Sequence, residues 1–238
     1  MRGYQVMASS NEIKRWRRAQ RSELLARRTS MTAVHRRDWS RSITDYLVND
    51  LAILRGMSLG MYWPIRGEFD LRPAIRALHA GGTRLALPVI VQKDAPLEFR
   101  EWWPGVRMTA GLFGIPVPYD TQVIEPRVLL IPPVGFDVQG FRLGYGGGYY
   151  DRTFAAATAK PLNIALAFEL SRITTIRPQS HDVAMDFIVT ETGIHPASAS
   201  GLRHVTANGI DHPADAVRPY ASPACFAHEC EVEHDDVL

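Results

Sequence analysis

The chain has 238 residues, 46% of them hydrophobic, and a net charge of +2, which suits one α/β domain with room for a sizeable core. No apolar run reaches the length of a membrane span, the N-terminus lacks an apolar signal core, and two cysteines near the C-terminus make no disulfide framework. A soluble cytoplasmic protein is expected. Charge is unevenly spread: ten of the 27 basic residues lie between Lys14 and Arg41, whereas Glu229 to Asp236 is acidic.

Residues 1–10 read as a loose leader. A basic helix is predicted from Asn11, its N-cap, to Arg28, with Ile13, Trp16, Leu24 and Leu25 as apolar members. Thr32 is expected to cap a second helix running to about Arg55. Most of the arginines read as a solvated helix face. Met57–Trp63 is a predicted strand, and Glu68 lies in the loop after it. Leu71, Ile75 and Leu78 follow helical spacing, Gly81-Gly82 ends that helix, and Arg84–Val91 is a further strand. Strand, helix, strand argues for a parallel α/β layer, in which ligands collect at the C-terminal ends of strands. Leu97–Trp103 alternates as a strand, and Met108–Pro118 reads as an extended, proline-bounded loop.

Val128–Ile131 is an apolar run stopped by two prolines and followed by a turn-rich passage with Gly135, Asp137 and Gly140. Arg142 and Leu143 come next, then Gly144, Tyr145, Gly146, Gly147 and Gly148, and a helix is predicted to start at Tyr149. Four glycines in five positions let a ligand approach the backbone closely. A loop of this kind entering a helix offers free N–H groups and a favourable dipole to an anion. Arg142 adds a forked cation suited to phosphate, and Asp151 could hold a metal ion. The loop is neither a Walker A site nor a dinucleotide fingerprint, and a glycine turn without a ligand is the alternative. Leu162–Phe168 is another buried strand. His181, Asp182 and Asp186 precede the apolar stretch Phe187–Val189. Residues 196–238 read as a flexible, acidic tail. Its Cys225, His228, Cys230 and His234 match no standard zinc spacing.

The order Gly-Phe-Asp-x-x-Gly-x-Arg-Leu-Gly-x-Gly-x-Gly-Tyr-Tyr-Asp closely resembles the signature of the 5-formyltetrahydrofolate cyclo-ligase family. The likeness extends over about residues 12–192, including Gly114-Ile115-Pro116-x-Pro118 and His181-Asp182-x-x-x-Asp186. It implies one α/β/α domain, residues 11–195, with three layers and a mostly parallel sheet, resembling NagB, RpiA and CoA transferases. It also implies ATP-dependent closure of 5-formyltetrahydrofolate to 5,10-methenyltetrahydrofolate, with ATP as co-substrate and magnesium as cofactor. Carried over residue by residue, Arg17, Arg21, Arg142, Leu143, Gly144, Tyr145, Gly146, Gly147, Gly148, Tyr149 and Tyr150 face ATP. Lys14 and Arg18 fit the first pair's spacing equally well. Trp63, Glu68 and Phe113 face the folate together with Tyr145, Gly146, Gly147, Gly148 and Tyr149. A core position is the alternative for Trp63 and Phe113.

The same resemblance gives magnesium to Asp151 and Asp182 and the catalytic roles to Arg142 and Glu68. Two departures stand out. Gly147 replaces a lysine found in some members, so that cation must come from Arg152 or the N-terminal helix, and Arg17 replaces a usual lysine. A non-catalytic relative that binds folate or nucleotide as a regulator is the alternative reading. An RNA-associated protein is a third, though neither nucleic acid nor membrane is expected as a partner.

Overall fold

In the computed structural model, residues 9–198 and 201–203 are described. Helix α1 (Ser10–Thr29) begins on Ser9 rather than on Asn11. The Ser9 hydroxyl accepts from the Glu12 N–H, and the Glu12 carboxylate accepts from the Ser9 N–H at 2.7 Å. This reciprocal capping box satisfies two donors that the helix leaves open, which a lone Asn11 would not. Thr32 caps α2 (Ala33–Asp45) as expected, accepting from the His35 N–H at 3.2 Å. That helix does not run on to Arg55. It widens into a π turn over Tyr46–Asp50, and Ala52–Leu54 forms a separate 3₁₀ turn. Asn49 and Asp50, weak helix formers, stand where the regular helix has given way.

The eight-stranded sheet is built around five parallel strands in the order β11-β9-β6-β1-β2. They are β11 (Phe187–Thr190), β9 (Leu162–Leu166), β6 (Val128–Ile131), β1 (Ser58–Gly60) and β2 (Arg84–Val89). Antiparallel β3 (Glu98–Trp102) closes one side, and β12 (Gly193–Ser198) with β13 (Gly201–Leu202) closes the other. The domain end expected at 195 therefore falls inside β12. The leader and the Cys/His group of the tail lie outside the described residues.

All four residues of β6 are buried, as a parallel strand covered on both faces requires. Val128 and Leu130 face a core shared with α2 and α3 (Arg72–Ala80), while Leu129 and Ile131 face one containing Phe136 and Phe154. There are thus three layers, as expected, but the second outer layer is only partly helical. It combines α4 (Tyr149–Ala156) with a small sheet, β10-β7-β8, made of Arg172–Ile173, Gly135–Asp137 and Arg142–Leu143. The passage expected only to turn is therefore a hairpin. Met108–Pro118 likewise closes as a ribbon, β4 (Met108–Ala110) against β5 (Pro116–Pro118), with Leu112–Gly114 at its tip. A two-stranded ribbon has free edges on which prolines cost no ladder bond.

Two residues fix the small sheet. Asp137 is fully buried, and its Oδ1 accepts from the N–H groups of Gln139 and Phe141, both at 3.0 Å. Its Oδ2 accepts from the Ile176 N–H at 3.0 Å, tying the hairpin to the segment beyond β10. Gly135 lets α1 approach: a Cβ there would stand 2.5 Å from Leu24 Cδ1. Asp137→Ala leaves three backbone donors unpaired and should cost on the order of 2–4 kcal/mol. Urea unfolding monitored by circular dichroism would measure it, and an unchanged midpoint would refute this account of the hairpin.

Candidate active site

The C-terminal ends of β1, β2 and β6 open onto a cavity of about 570 Å³. Trp63, Glu68, Phe113, Asp151 and Asp182 all line it, as do Arg17, Arg21, Arg142 and the run Leu143–Tyr150. Elements separated by more than a hundred residues thus meet at one place. Lys14 and Arg18, the alternative pair on α1, are not among the lining residues, whereas Arg17 and Arg21 are.

The cations reach the cavity from two directions. Arg17, Arg21, Leu24 and Arg28 are spaced four, three and four apart and form one stripe along α1. Leu24 packs on the small sheet, so its neighbours on the stripe meet the loops beside it. Arg17 pairs with Asp182 and also donates to the Ile176 and Arg177 carbonyls at 3.1 and 2.9 Å. Arg21 donates to the Gly144 carbonyl at 2.7 Å and lies 3.4 Å from where a Cβ on Gly146 would stand. Burial first, and the charge of Arg17 second, pull the Arg21 guanidinium below its ordinary value. It is a partly desolvated cation placed against the glycine loop.

Arg142 is buried, donates to Asp151 Oδ1 at 2.6 Å and lies over the rings of Phe154 and Tyr150. In the loop, Gly146 and Gly148 have φ of +99° and +64°, and Gly148 is the N-cap of α4. Arg152, offered above as a substitute for the missing lysine, is not among the lining residues. It donates to the Gly147 carbonyl at 2.7 Å and packs over Tyr149. Arg21 and Arg152 both stand beside the glycines, and of the two only Arg21, from α1, lines the cavity.

Glu68 is 6% exposed. Its Oε2 accepts from the Ile65 N–H at 2.9 Å, and its Oε1 accepts from the Tyr145 hydroxyl at 2.6 Å. Behind them stands Arg28, 3% exposed, which donates to the Tyr145 oxygen at 2.6 Å. Burial pushes the Glu68 carboxyl up to about 7, against the pull of Tyr145, Ile65, Arg28 and Arg66. Burial, then the charge of Glu68, raises the Tyr145 phenol above its usual range, so it stays a donor. Sequence reasoning missed Arg28 and Arg66. Both are surface-like residues in a basic chain, and only the tertiary contacts set them apart.

Trp63 and Phe113 form part of the cavity wall. Phe113 is 77% exposed with φ of +60°; the buried-core alternative for it is thereby corrected, since the ribbon tip holds it clear of the core. His181 is an exposed wall residue. Asp186 lies elsewhere: its carboxylate accepts from the Asn163 N–H at 2.7 Å and ties down β9. Among the described residues no three His, Cys, Asp or Glu side chains gather as a metal group. Asp182 spends both oxygens on Arg17 and on the Gln179 N–H, and Asp151 uses Oδ1 for Arg142. Burial alone would raise Asp182, but the Arg17 and Gln179 hydrogen bonds outweigh it and hold the carboxyl below its ordinary value.

Comparison with known proteins shows the family and the fold. The sequence matches the model of the 5-formyltetrahydrofolate cyclo-ligase family over residues 13–191. It is 33% identical over 181 residues to the 5-formyltetrahydrofolate cyclo-ligase of Mycolicibacterium smegmatis, covering 71% of this chain and 91% of that one. The Haemophilus influenzae enzyme of the same name is 27% identical over 172 residues, covering 69% and 92%. The fold is similar to that of Aquifex aeolicus 5,10-methenyltetrahydrofolate synthetase, with a TM-score of 0.67 and 24% identity over 82% of this chain and 99% of that one.

The raised Glu68 carboxyl has a consequence for stability. Between pH 4.5, its unfolded value, and about 7, the folded chain binds more of this proton than the unfolded chain does. Glu68 therefore favours folding below that window and loses the advantage as pH rises through it. Glu68→Gln should remove this part of the decline. Unfolding free energies of both proteins at pH 5 and 8 would show it, and parallel pH dependences would count against a raised carboxyl.

Proposed function

Since the chain belongs to the 5-formyltetrahydrofolate cyclo-ligase family, we propose that its cavity converts 5-formyltetrahydrofolate and ATP into 5,10-methenyltetrahydrofolate, ADP and phosphate. One observation carries the reading: a glycine-rich loop, four arginines (Arg17, Arg21, Arg66 and Arg142) and the buried Glu68 carboxylate share a single cavity. The terminal phosphoryl group of ATP passes to the formyl oxygen. N10 then attacks the activated carbon and loses its proton, and departure of phosphate leaves the methenyl bridge.

The N–H groups of Gly144–Gly148 and the N-terminus of α4 cradle the phosphates. Arg142, Arg17 and Arg21 neutralise the charge that moves with the phosphoryl group, which is the main work of such an active site. Glu68 accepts hydrogen bonds from the folate, while Trp63 and Phe113 offer flat apolar faces to its rings. Ring closure joins two atoms of one molecule, so it needs positioning more than a strong base.

The donor set fits magnesium best at Asp151, whose carboxylate commits one oxygen to Arg142. Asp182, whose carboxylate is held by Arg17 and the Gln179 N–H, would be the second residue to hold the ion. Hard carboxylate oxygens completed by those of the nucleotide are the usual magnesium environment, and the ion would shield the β and γ oxygens from each other. The substrates are small soluble anions, and a cytoplasmic location fits them. Among the described residues no helix is long and apolar enough to cross a membrane.

Purified protein mixed with 5-formyltetrahydrofolate, ATP and magnesium should develop the absorbance of the methenyl product. Arg142→Ala should lower kcat/KM by roughly 100-fold or more, and Asp151→Asn should raise the magnesium concentration required. ATP binding without any product would point instead to a regulator that has lost catalysis.

A further inference from the structure

Tyr145 occupies a central position in the glycine loop, yet its hydroxyl faces away from the phosphate cradle and donates to Glu68. The same oxygen accepts from Arg28 Nη2 at 2.6 Å. Arg28 is itself fixed by two backbone carbonyls, donating to Arg66 at 3.2 Å and to Pro133 at 2.9 Å. Its guanidinium also stands 3.7 Å from Glu68 Oε1 and 5.9 Å from the centre of the Tyr145 ring. A second cation, Arg66, lies 5.7 Å from that ring centre. A long basic side chain buried to 97% needs a reason, because desolvating a guanidinium is costly unless it is paired and hydrogen-bonded.

From this geometry we infer that Arg28 is a positioning residue for folate recognition, acting through the Tyr145 hydroxyl to orient the Glu68 carboxylate. The inference rests on the function proposed above. Arg28 fills a lone pair of the phenol oxygen and leaves its hydrogen for Glu68 Oε1. The backbone of Ile65 holds Oε2 from the other side. One carboxylate is thus clamped at both oxygens in a fixed plane, ready to accept from the N–H groups of a pterin. The chain Arg28–Tyr145–Glu68 also joins three segments: α1, which carries the phosphate-facing arginines; the glycine loop; and the loop after β1. Folate and nucleotide positions are tied together by it.

Charge supports the arrangement. Glu68 faces Arg28 from α1, Tyr145 from the glycine loop, Arg66 from its own loop, Tyr150 from α4 and Tyr62 from the segment after β1. The two arginines and the Tyr145 hydrogen bond favour the ionised carboxylate, and burial opposes them. Removing the hydroxyl while keeping the ring therefore leaves burial less opposed.

The test is the pH profile of kcat/KM for 5-formyltetrahydrofolate at saturating ATP and magnesium. Tyr145→Phe should move the acid limb upward by about one pH unit and raise KM for the folate about tenfold, with a smaller change in kcat. Arg28→Gln should behave alike, Arg28→Lys should recover part of the loss, and the double variant should be no worse than the poorer single one. A Tyr145→Phe enzyme with the parent's pH profile and KM overturns the inference. The carboxyl resonance of Glu68, titrated by NMR without substrates, separates this outcome from failure of the proposed reaction. If the parent makes no product but Tyr145→Phe raises the Glu68 titration, the hydrogen-bonded chain stands and the reaction falls. If the titration does not move, the chain itself is refuted.

Discussion

The docking of α1 against the small sheet is the constraint on which the site depends. Leu24 presses onto the bare backbone of Gly135, where any side chain would stand in its way. Because helical positions three and four apart share a face, seating Leu24 also seats Arg21 and Arg28, one turn to either side, and Arg17 a turn further. One apolar contact between a leucine and a glycine thereby delivers three guanidinium groups to loops that begin more than a hundred residues later in the chain.

The small sheet that receives α1 depends in turn on Asp137. A hairpin of two- and three-residue strands cannot hold itself together in water. Here a buried carboxylate fastens it, accepting from three backbone N–H groups on both sides of the turn and beyond it. The Gly-Phe-Asp that opens the signature is thus a structural clasp, while the Arg-Leu-Gly that follows begins the cavity wall. The clasp and the wall are adjacent in sequence because the hairpin returns the chain to where it started.

Electrostatically, the cavity is a set of cations each held by a neighbouring acceptor. Arg17 lies on Asp182, Arg142 on Asp151, Arg21 on a loop carbonyl and Arg28 on Tyr145. Pairing keeps the cations positioned and offsets the cost of burying them. In the function proposed above, a polyanionic ligand would take over the guanidinium groups, leaving the carboxylates to a divalent cation.

Much of this was legible in the sequence for reasons of chemistry. The buried run Val128–Ile131 announces a two-faced parallel strand by having no polar alternation, and the glycine density of 144–148 announces a ligand-approaching loop. The Arg17 and Arg21 spacing announces a shared helix face. Local signals failed where neighbours in space decided. Ser9 displaced Asn11 as the cap because Glu12 reciprocates, a pattern that was there to be read. The ribbon of 108–118 needed a cross-strand partner, and the end of α2 needed packing, neither of which periodicity reveals. The sequence by itself determined the layer type, the glycine loop and the family resemblance, since these rest on local backbone freedom, unbroken apolar runs and motif order. Only the tertiary structure decided that Arg28 is buried behind Tyr145 and Glu68, and that of the two arginines beside the glycines Arg21 lines the cavity and Arg152 does not. A charged residue on an exposed-looking helix acquires its meaning from what the fold places against it.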